Sequence, residues 1–184
     1  MSNFKMFPKE KSIVFIGFMG VGKTTIGKLV AQNLNRSFID IDEEIEKEYK
    51  MPTTEIFKTI GEKAFREKEK ALITKFCSQK SIIISVGGGA FLQKEVREVC
   101  LSNCTVIALD ISWEQWKERL DKIIDSRPVL KGLSMEEIEA LFYKRKEIYV
   151  THHLKFTTDH LTEEEVANDI TESLKPISEL NDSN

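Results

Sequence analysis

The segment that most constrains the fold of this chain is 12–28, where a short apolar run leads into a glycine-rich loop and then a helical pattern. The β-branched apolar run at 12–16 predicts a buried strand. Residues 17–24, Gly-Phe-Met-Gly-Val-Gly-Lys-Thr, match the phosphate-binding pattern G-x-x-x-x-G-K-[ST]. Apolar residues recur at helical spacing over 26–34. The sequence therefore predicts an anion-binding loop between a buried strand and a helix N-terminus.

This loop has the chemistry of a site for the phosphates of ATP. Its glycines let the backbone wrap an anion with the N–H groups pointing inward, and the helix N-terminus adds partial positive charge. The Lys23 side chain can reach the β- and γ-phosphates, and the Thr24 hydroxyl can ligate Mg²⁺. A chance match in a glycine-rich turn is disfavoured by the strand before it and the helix after it. The predicted phosphate contacts are Gly20, Val21, Gly22, Lys23, Thr24 and Thr25.

The composition argues against several other classes of protein. The chain has 184 residues, of which 41% are hydrophobic and 31% charged, as in a soluble protein of one domain. A formal net charge of −3 provides no basic surface for nucleic acid and no polybasic patch for a membrane. No apolar run approaches the roughly 18 residues that indicate a transmembrane helix. We therefore expect neither nucleic acid nor a membrane as a partner.

The cysteines and the terminal segments favour a cytoplasmic protein. Cys77, Cys100 and Cys104 are odd in number and lack C-x-x-C spacing, which predicts free thiols in a reducing compartment. Residues 1–11 lack the apolar core of a signal peptide, so we expect a flexible lead-in. The polar residues 176–184 are predicted to form a disordered tail.

The remainder of the chain alternates short apolar strands with helices. This alternation is typical of βαβ units, and it predicts an α/β fold with a parallel sheet and helices on both faces. Capping boxes are predicted at Ser112, Ser134 and Thr162, each three residues before Gln or Glu. Gly61 is expected to weaken one long predicted helix locally, because glycine has a low helix propensity. The further strands are predicted at 37–41, 82–86, 105–111 and 155–157, and the main helices at 43–49, 54–77, 92–101, 134–149 and 162–174.

Two carboxylates lie at the end of the second predicted strand. Asp40 and Asp42 are two residues apart, so in an extended backbone they would point to the same side, beside the phosphate loop. One could hold a water on Mg²⁺ or accept a proton, and the other could accept hydrogen bonds from substrate hydroxyls. Either could instead cap the helix that follows.

Other candidate residues are ambiguous when each is considered alone. The glycines at 87–89 end a buried strand and could approach a ligand closely or simply form a tight turn. Arg66 and Arg145 lie on predicted helices among other charges, where a surface position is the ordinary expectation. The basic loop 125–133 could close over the phosphates or merely connect two helices.

Considered together and in chain order, the motifs resemble those of the shikimate kinase family over nearly the whole chain. The resemblance implies a three-layer α/β/α P-loop kinase fold, like that of nucleoside-monophosphate kinases, with a five-stranded parallel sheet and a mobile lid. It divides the kinase domain at 12–175 into a core, substrate-binding helices at about 42–77 and a lid at about 125–133. The motifs are the phosphate loop, Asp40-Ile41-Asp42, Gly61-Glu62 with Phe65-Arg66, Gly87-Gly88-Gly89, Arg127-Pro128 with Leu130, and Arg145 with Tyr149.

The resemblance implies an activity, namely ATP-dependent phosphorylation of the shikimate 3-hydroxyl to give shikimate 3-phosphate and ADP. This reaction is a step of chorismate and aromatic amino-acid biosynthesis. The implied ligands are ATP, Mg²⁺ and the small molecule shikimate, and we expect a monomer.

The same resemblance assigns binding roles. Arg66 and Arg145 would grip the shikimate carboxylate through charge-assisted hydrogen bonds. Asp42 and the backbone of Gly87, Gly88 and Gly89 would hold its hydroxyls.

It also assigns catalytic roles. Lys23 and Arg127 would neutralise charge on the transferring phosphoryl group. Asp40 would lie near the metal and the attacking oxygen, as a general base or as an anchor for a metal-bound water. Thr24 and Asp40 would be the metal residues, Asp40 through water. Replacing Asp40 with asparagine is then expected to lower kcat more than it raises KM for shikimate.

The chain departs from the family pattern near the adenine. Lys122 lies in the region where the family often carries a basic residue before the lid, and His160 lies where many members carry an arginine. Two alternatives remain: a gluconate-type or other small-molecule P-loop kinase, and a non-catalytic nucleotide-binding module. The second alternative would be expected to have lost Lys23, Asp40 or a substrate arginine.

Overall fold

Five parallel strands form the central sheet of the protein, described from a computed structural model that covers residues 10–124 and 128–175. Their order across the sheet is β2-β3-β1-β4-β5, and every neighbouring pair is parallel. The central strand is buried along its whole length, as its uninterrupted apolar sequence predicts. The strands are β1 (Ile13–Ile16), β2 (Ser37–Asp40), β3 (Ile82–Ser85), β4 (Thr105–Asp110) and β5 (Leu154–Thr157).

Helices connect these strands and cover the sheet. They are α1 (Lys23–Asn33), α2 (Ile41–Tyr49), α3 (Thr53–Cys77), α4 (Lys94–Asn103), α5 (Trp113–Lys117), α6 (Leu120–Ile123), α7 (Met135–Ile148) and α8 (Glu163–Leu174). The chain crosses from β1 to β2 in one direction and from β3 to β4 in the other. Because such crossovers are right-handed, α1 and α4 lie on opposite faces. Helix α8 packs against α1, whereas α3 packs against α2 and α4. This is the predicted three-layer α/β/α fold.

Most predicted elements are confirmed to within a few residues. The capping boxes of Ser134 and Thr162 are both complete. Gly61, the position expected to weaken this helix, has the non-helical values φ 79° and ψ 165° and kinks α3. The helix expected at 92–101 instead begins at Lys94, because Ala90–Leu92 forms a separate 3₁₀ turn.

The expectation that Asp40 and Asp42 share an extended strand is wrong. Strand β2 ends at Asp40, and α2 begins at the next residue, so Asp42 lies in the first helical turn. Asp40 Oδ1 accepts hydrogen bonds from the backbone N–H groups of Asp42 (3.0 Å) and Glu43 (3.3 Å). The first backbone N–H groups of a helix have no partner within the helix, and the Asp40 side chain accepts hydrogen bonds from two of them. This cap stabilises a helix that begins at Ile41, two residues before the predicted start.

An aromatic cluster packs against the side of the phosphate loop that faces the protein core. Trp116 is fully buried, and its Nε1 donates to the Met19 carbonyl at 2.7 Å. The Trp116 ring packs against Trp113, Phe18 and Phe142 at centroid distances of 5.4, 5.1 and 5.8 Å. The core of the protein thus extends directly beneath the loop and fixes its backbone.

Several expectations concern residues outside the described ranges. The structure does not describe residues 1–9, 125–127 and 176–184. What was expected of the lead-in, the tail, Arg127 and the first part of the lid therefore stays a prediction. The part of the lid segment that is described contains a 3₁₀ turn at Pro128–Leu130, in which Leu130 is buried. Among the described helices, none combines the length and apolarity that a membrane span requires.

Candidate active site

The phosphate loop, residues 17–24, leaves the C-terminal end of β1 and enters α1. Strand β1 lies between β3 and β4, so the loop emerges where the strand connections diverge, which is the usual ligand edge of an open α/β sheet. Gly20 and Gly22 have φ values of 77° and 107°, which glycine adopts without strain. The first turn of α1 holds no acidic residue, so its N–H groups and partial positive charge are available to phosphate oxygens.

Lys23 lies folded across this loop. Its side chain is largely buried, with a relative exposure of 8% for the residue, and Nζ donates to the carbonyls of Gly17 (2.8 Å) and Phe18 (3.0 Å). These bonds hold a positive charge at the loop. The protein thus supplies an oriented cation at the place where the β- and γ-phosphates are predicted.

The predicted metal residues are in direct contact. Thr24 Oγ1 donates to Asp40 Oδ2 at 2.7 Å, while the other carboxylate oxygen caps α2. Hydroxyl and carboxylate oxygens are ligands that Mg²⁺ accepts, and Mg²⁺ usually takes its remaining ligands from phosphates and water. Among the described residues, no three His, Cys, Asp or Glu side chains form a metal cluster. The pair therefore fits Mg²⁺ delivered with a nucleotide rather than a metal held by the protein alone.

A single cleft of about 1150 Å³ extends from the phosphate loop to helices α2, α3 and α7. This volume exceeds the typical range for one small ligand, about 300–1,000 Å³, so it suits two ligands bound end to end. The cleft is lined by most of the predicted site residues: Gly20, Gly22, Lys23, Thr24, Thr25, Asp40, Asp42, Arg66, Gly87, Gly88, Gly89 and Arg145. Val21 is fully buried and is not part of the lining.

At the far end of the cleft, Arg66 is held by a buried carboxylate. Its Nη1 lies 2.8 Å from Oε2 of Glu69, which is completely buried, and its Nε lies 3.7 Å from the exposed Glu62. The guanidinium also lies over the rings of Phe57 and Phe65. The ordinary expectation for a helical arginine was a surface position, but these contacts direct Arg66 into the cleft.

Arg145 approaches the same end of the cleft from α7. Its Nη1 donates to the Gly88 carbonyl at 3.3 Å, and the hydroxyl of buried Tyr149 donates to the same oxygen. Burial lowers the pKa of Arg145, and the charge of Arg66 acts in the same direction. Since two cations are held close enough to repel, an anionic ligand between them would be favoured.

The glycine triplet forms one wall between the two cations. An added Cβ at Gly87 would lie 3.0 Å from Asp42 Oδ1 and 3.1 Å from Glu69 Oε1. At Gly88 it would lie 3.3 Å from the backbone nitrogen of Met19 in the phosphate loop. The triplet therefore allows close approach of side chains and loop, as its position after a buried strand predicts, and it is more than a simple turn.

We predict that replacing Gly89 with alanine will impair binding at this end of the cleft. The new Cβ would overlap the Arg66 guanidinium, whose Cζ would lie 2.9 Å away. Displacing one charged hydrogen-bond partner should raise KM for an anionic acceptor about 10-fold or more. Steady-state kinetics would measure this effect, and KM for ATP serves as the internal control. An unchanged acceptor KM would show that the Arg66 side chain shifts away from the new methyl group without loss of acceptor binding.

The sequence interpretation missed two residues of the cleft. Arg119, immediately before α6, donates from Nη1 to the carbonyls of Gly20 and Val21, each at 3.3 Å. It directly precedes the segment in which Lys122 was considered, so a window one residue longer would have included it. Glu69 is the second of these residues, and its three-residue spacing from Arg66 on a helix is a signal for an ion pair.

Comparisons with known proteins agree with this geometry. A family model described as shikimate kinase matches residues 19–175. The shikimate kinase of Oceanobacillus iheyensis is 56% identical, over 92% of this chain and 93% of that protein. The shikimate kinase of Bacillus subtilis is 55% identical, over 91% and 90%. Among solved structures, the shikimate kinase from Acinetobacter baumannii in complex with shikimate superimposes with a TM-score of 0.82 at 28% identity, covering 94% of each chain.

Proposed function

The chain belongs to the shikimate kinase family, and on this basis we propose that it transfers the γ-phosphoryl group of ATP to the 3-hydroxyl of shikimate. The products are ADP and shikimate 3-phosphate. The observation that carries the proposal is one continuous cleft, lined by the phosphate loop and by the arginines Arg66 and Arg145.

The acceptor end of the cleft has the chemistry that shikimate requires. Shikimate carries one carboxylate and three hydroxyls. Arg66 and Arg145 would bind the carboxylate, and Asp42 would accept hydrogen bonds from hydroxyls. The backbone of residues 87–89 would complete the hydroxyl contacts. Such a set suits a hydroxylated acid better than a nucleotide acceptor, which would need contacts to a base and a phosphate.

The phosphate end would position and stabilise the transferring group. Lys23 would bind the β- and γ-phosphates through the charge that it already presents at the loop. Thr24 and Asp40 would hold Mg²⁺, which when bound neutralises charge on the phosphates. Asp40 would lie near the attacking hydroxyl and would orient it or accept its proton. Arg127 would add a further positive charge from the lid.

The adenine would be bound beyond the phosphate loop. Arg119 and Lys122 both line the cleft, and Arg119 also donates hydrogen bonds to the phosphate loop, which makes it the better candidate for the basic residue before the lid. Leu161 and Thr162 also line the cleft, and they directly follow His160, the position that carries an arginine in many family members. The enzyme would act as a monomer in the cytoplasm, where three buried free thiols would remain reduced.

The proposal is tested by measuring ADP release from ATP-Mg with shikimate, gluconate and a nucleoside monophosphate offered separately. We expect turnover with shikimate and no turnover with gluconate or the nucleoside monophosphate. Turnover with gluconate or a nucleotide would leave the fold intact but overturn the assigned acceptor. ATP binding without turnover on any acceptor would favour a non-catalytic module.

Replacing Arg145 with alanine is expected to weaken shikimate binding by about 10- to 150-fold, corresponding to about 1.5–3 kcal/mol for a hydrogen bond to a charged group. Kinetics with varied shikimate would measure the change in KM. The nearby Lys144 is exposed on the same helix and serves as a matched control, since its replacement with alanine should leave KM within about twofold. Equal effects of both substitutions would indicate a general loss of positive charge.

A further inference from the structure

Glu69 differs from every other carboxylate in the described part of the cleft because it is both completely buried and incompletely bonded. Its Oε2 receives hydrogen bonds from Arg66 Nη1 (2.8 Å) and Gln93 Nε2 (3.0 Å). Its Oε1 is buried and has no hydrogen-bond partner among the described residues. A buried carboxylate oxygen without a donor is unfavourable when ionised, and protonation would relieve that cost.

The surroundings of Glu69 contain both signs of charge. Arg66 and the exposed Glu62 lie on the same helix as Glu69. Asp42 of α2 and Arg145 of α7 interact electrostatically with Glu69. Burial raises the pKa of Glu69 to about 7, Arg66 opposes this shift, and Asp42 adds to it. Glu69 is therefore balanced between its two protonation states near neutral pH in the free protein.

We infer that Glu69 is a proton-linked positioning residue: its ionised form pairs with Arg66 in the free enzyme, and binding of the acceptor carboxylate to Arg66 shifts Glu69 toward its protonated form. This inference rests on the proposed function. The incoming carboxylate would be a second anion competing for the same guanidinium, beside a buried negative charge. Neutralising Glu69 removes that repulsion, while Gln93 and Arg66 keep the side chain in place.

The inference has a defined sign for the pH dependence of binding. Binding favours protonated Glu69, so the affinity for shikimate should be constant below about pH 6 and should fall as Glu69 ionises. If the bound acceptor raises the pKa of Glu69 by about one unit, Kd should rise about tenfold by about pH 9. Proton uptake should accompany binding between these limits, and its source is solvent.

The experiment is isothermal titration of the enzyme with shikimate, without nucleotide, from about pH 5.5 to 9 in buffers of different ionisation enthalpy. Omitting ATP removes the titration of its phosphates. The unmodified enzyme is expected to show proton uptake and the rise in Kd. Glu69→Gln should abolish both, whatever its affinity for shikimate.

Two further variants keep the test decisive if Glu69→Gln folds poorly. Gln93→Met removes a donor that lowers the pKa of Glu69, so the midpoint of the pH dependence should move to higher pH. Glu62→Gln removes the exposed partner of Arg66 and should leave the midpoint unchanged. A pH-independent Kd in the unmodified enzyme, or an unmoved midpoint in Gln93→Met, would overturn the inference while leaving the proposed function intact. No shikimate binding at any pH would instead overturn the proposed function.

Discussion

Replacing Lys23 with methionine is expected to lower kcat by about 100- to 1000-fold, the range for removing one preorganised group that stabilises transition-state charge. Methionine keeps the length and apolar character of the side chain but removes the charge and the donors. The charge that Lys23 presents at the phosphate loop is fixed before any ligand binds, because Nζ is held by two loop carbonyls. Its loss should therefore affect the chemical step more than ATP binding.

The structural cost of this substitution has to be separated from its catalytic cost. The carbonyls of Gly17 and Phe18 would lose a donor, and each such loss typically costs about 1–3 kcal/mol when the group is buried. Thermal unfolding of the variant would measure this cost. Lys28 is the matched control, because it lies five residues further along α1, is exposed and pairs with Glu43. Lys28→Met should change kcat by less than about twofold. A comparable loss of activity in both variants would exclude the assigned role of Lys23.

Sequence alone could predict the architecture because the determining signals are local. The apolar run of β1, the glycine pattern and the caps at Ser134 and Thr162 each depend on residues close together in the chain. Predicted strands and helices therefore match the structure to within a few residues. The largest local error was Asp42, where the capping preference of Asp40 was weighed but not adopted.

The cleft was harder to predict because its contacts join distant parts of the chain. Gln93 contacts Glu69 across 24 residues, and Arg119 reaches the phosphate loop across almost a hundred. Helical spacing allows both Glu62 and Glu69 to pair with Arg66, but the local sequence does not show that Glu69 is buried and Glu62 exposed. Arg66 and Arg145 were assigned only through the family resemblance, since each alone resembles a surface arginine. Packing decides such cases, and no local pattern encodes it.

Replacing Asp40 with asparagine is expected to lower kcat by about 100- to 10,000-fold, the range for loss of a general acid–base group, with a smaller effect on KM for shikimate. Asparagine is as good an N-cap as aspartate, so the bonds to the backbone of Asp42 and Glu43 can persist. The contact with Thr24 can also remain with its direction reversed, because the amide nitrogen that replaces Oδ2 can donate to the Thr24 hydroxyl oxygen. The substitution thus removes the negative charge with little change in structure.

A second substitution and a metal titration distinguish the possible roles of Asp40. Asp40→Ala also removes the cap, so it should be less stable than Asp40→Asn by about 1 kcal/mol in a denaturant titration. If Asp40 anchors a metal-bound water, raising the Mg²⁺ concentration should partly restore kcat of Asp40→Asn, because weakened binding is overcome by mass action. If Asp40 accepts the proton of the attacking hydroxyl, added Mg²⁺ cannot replace that function and kcat should remain low. An unchanged kcat in Asp40→Asn would exclude both roles and would leave the helix cap as the only function of this carboxylate.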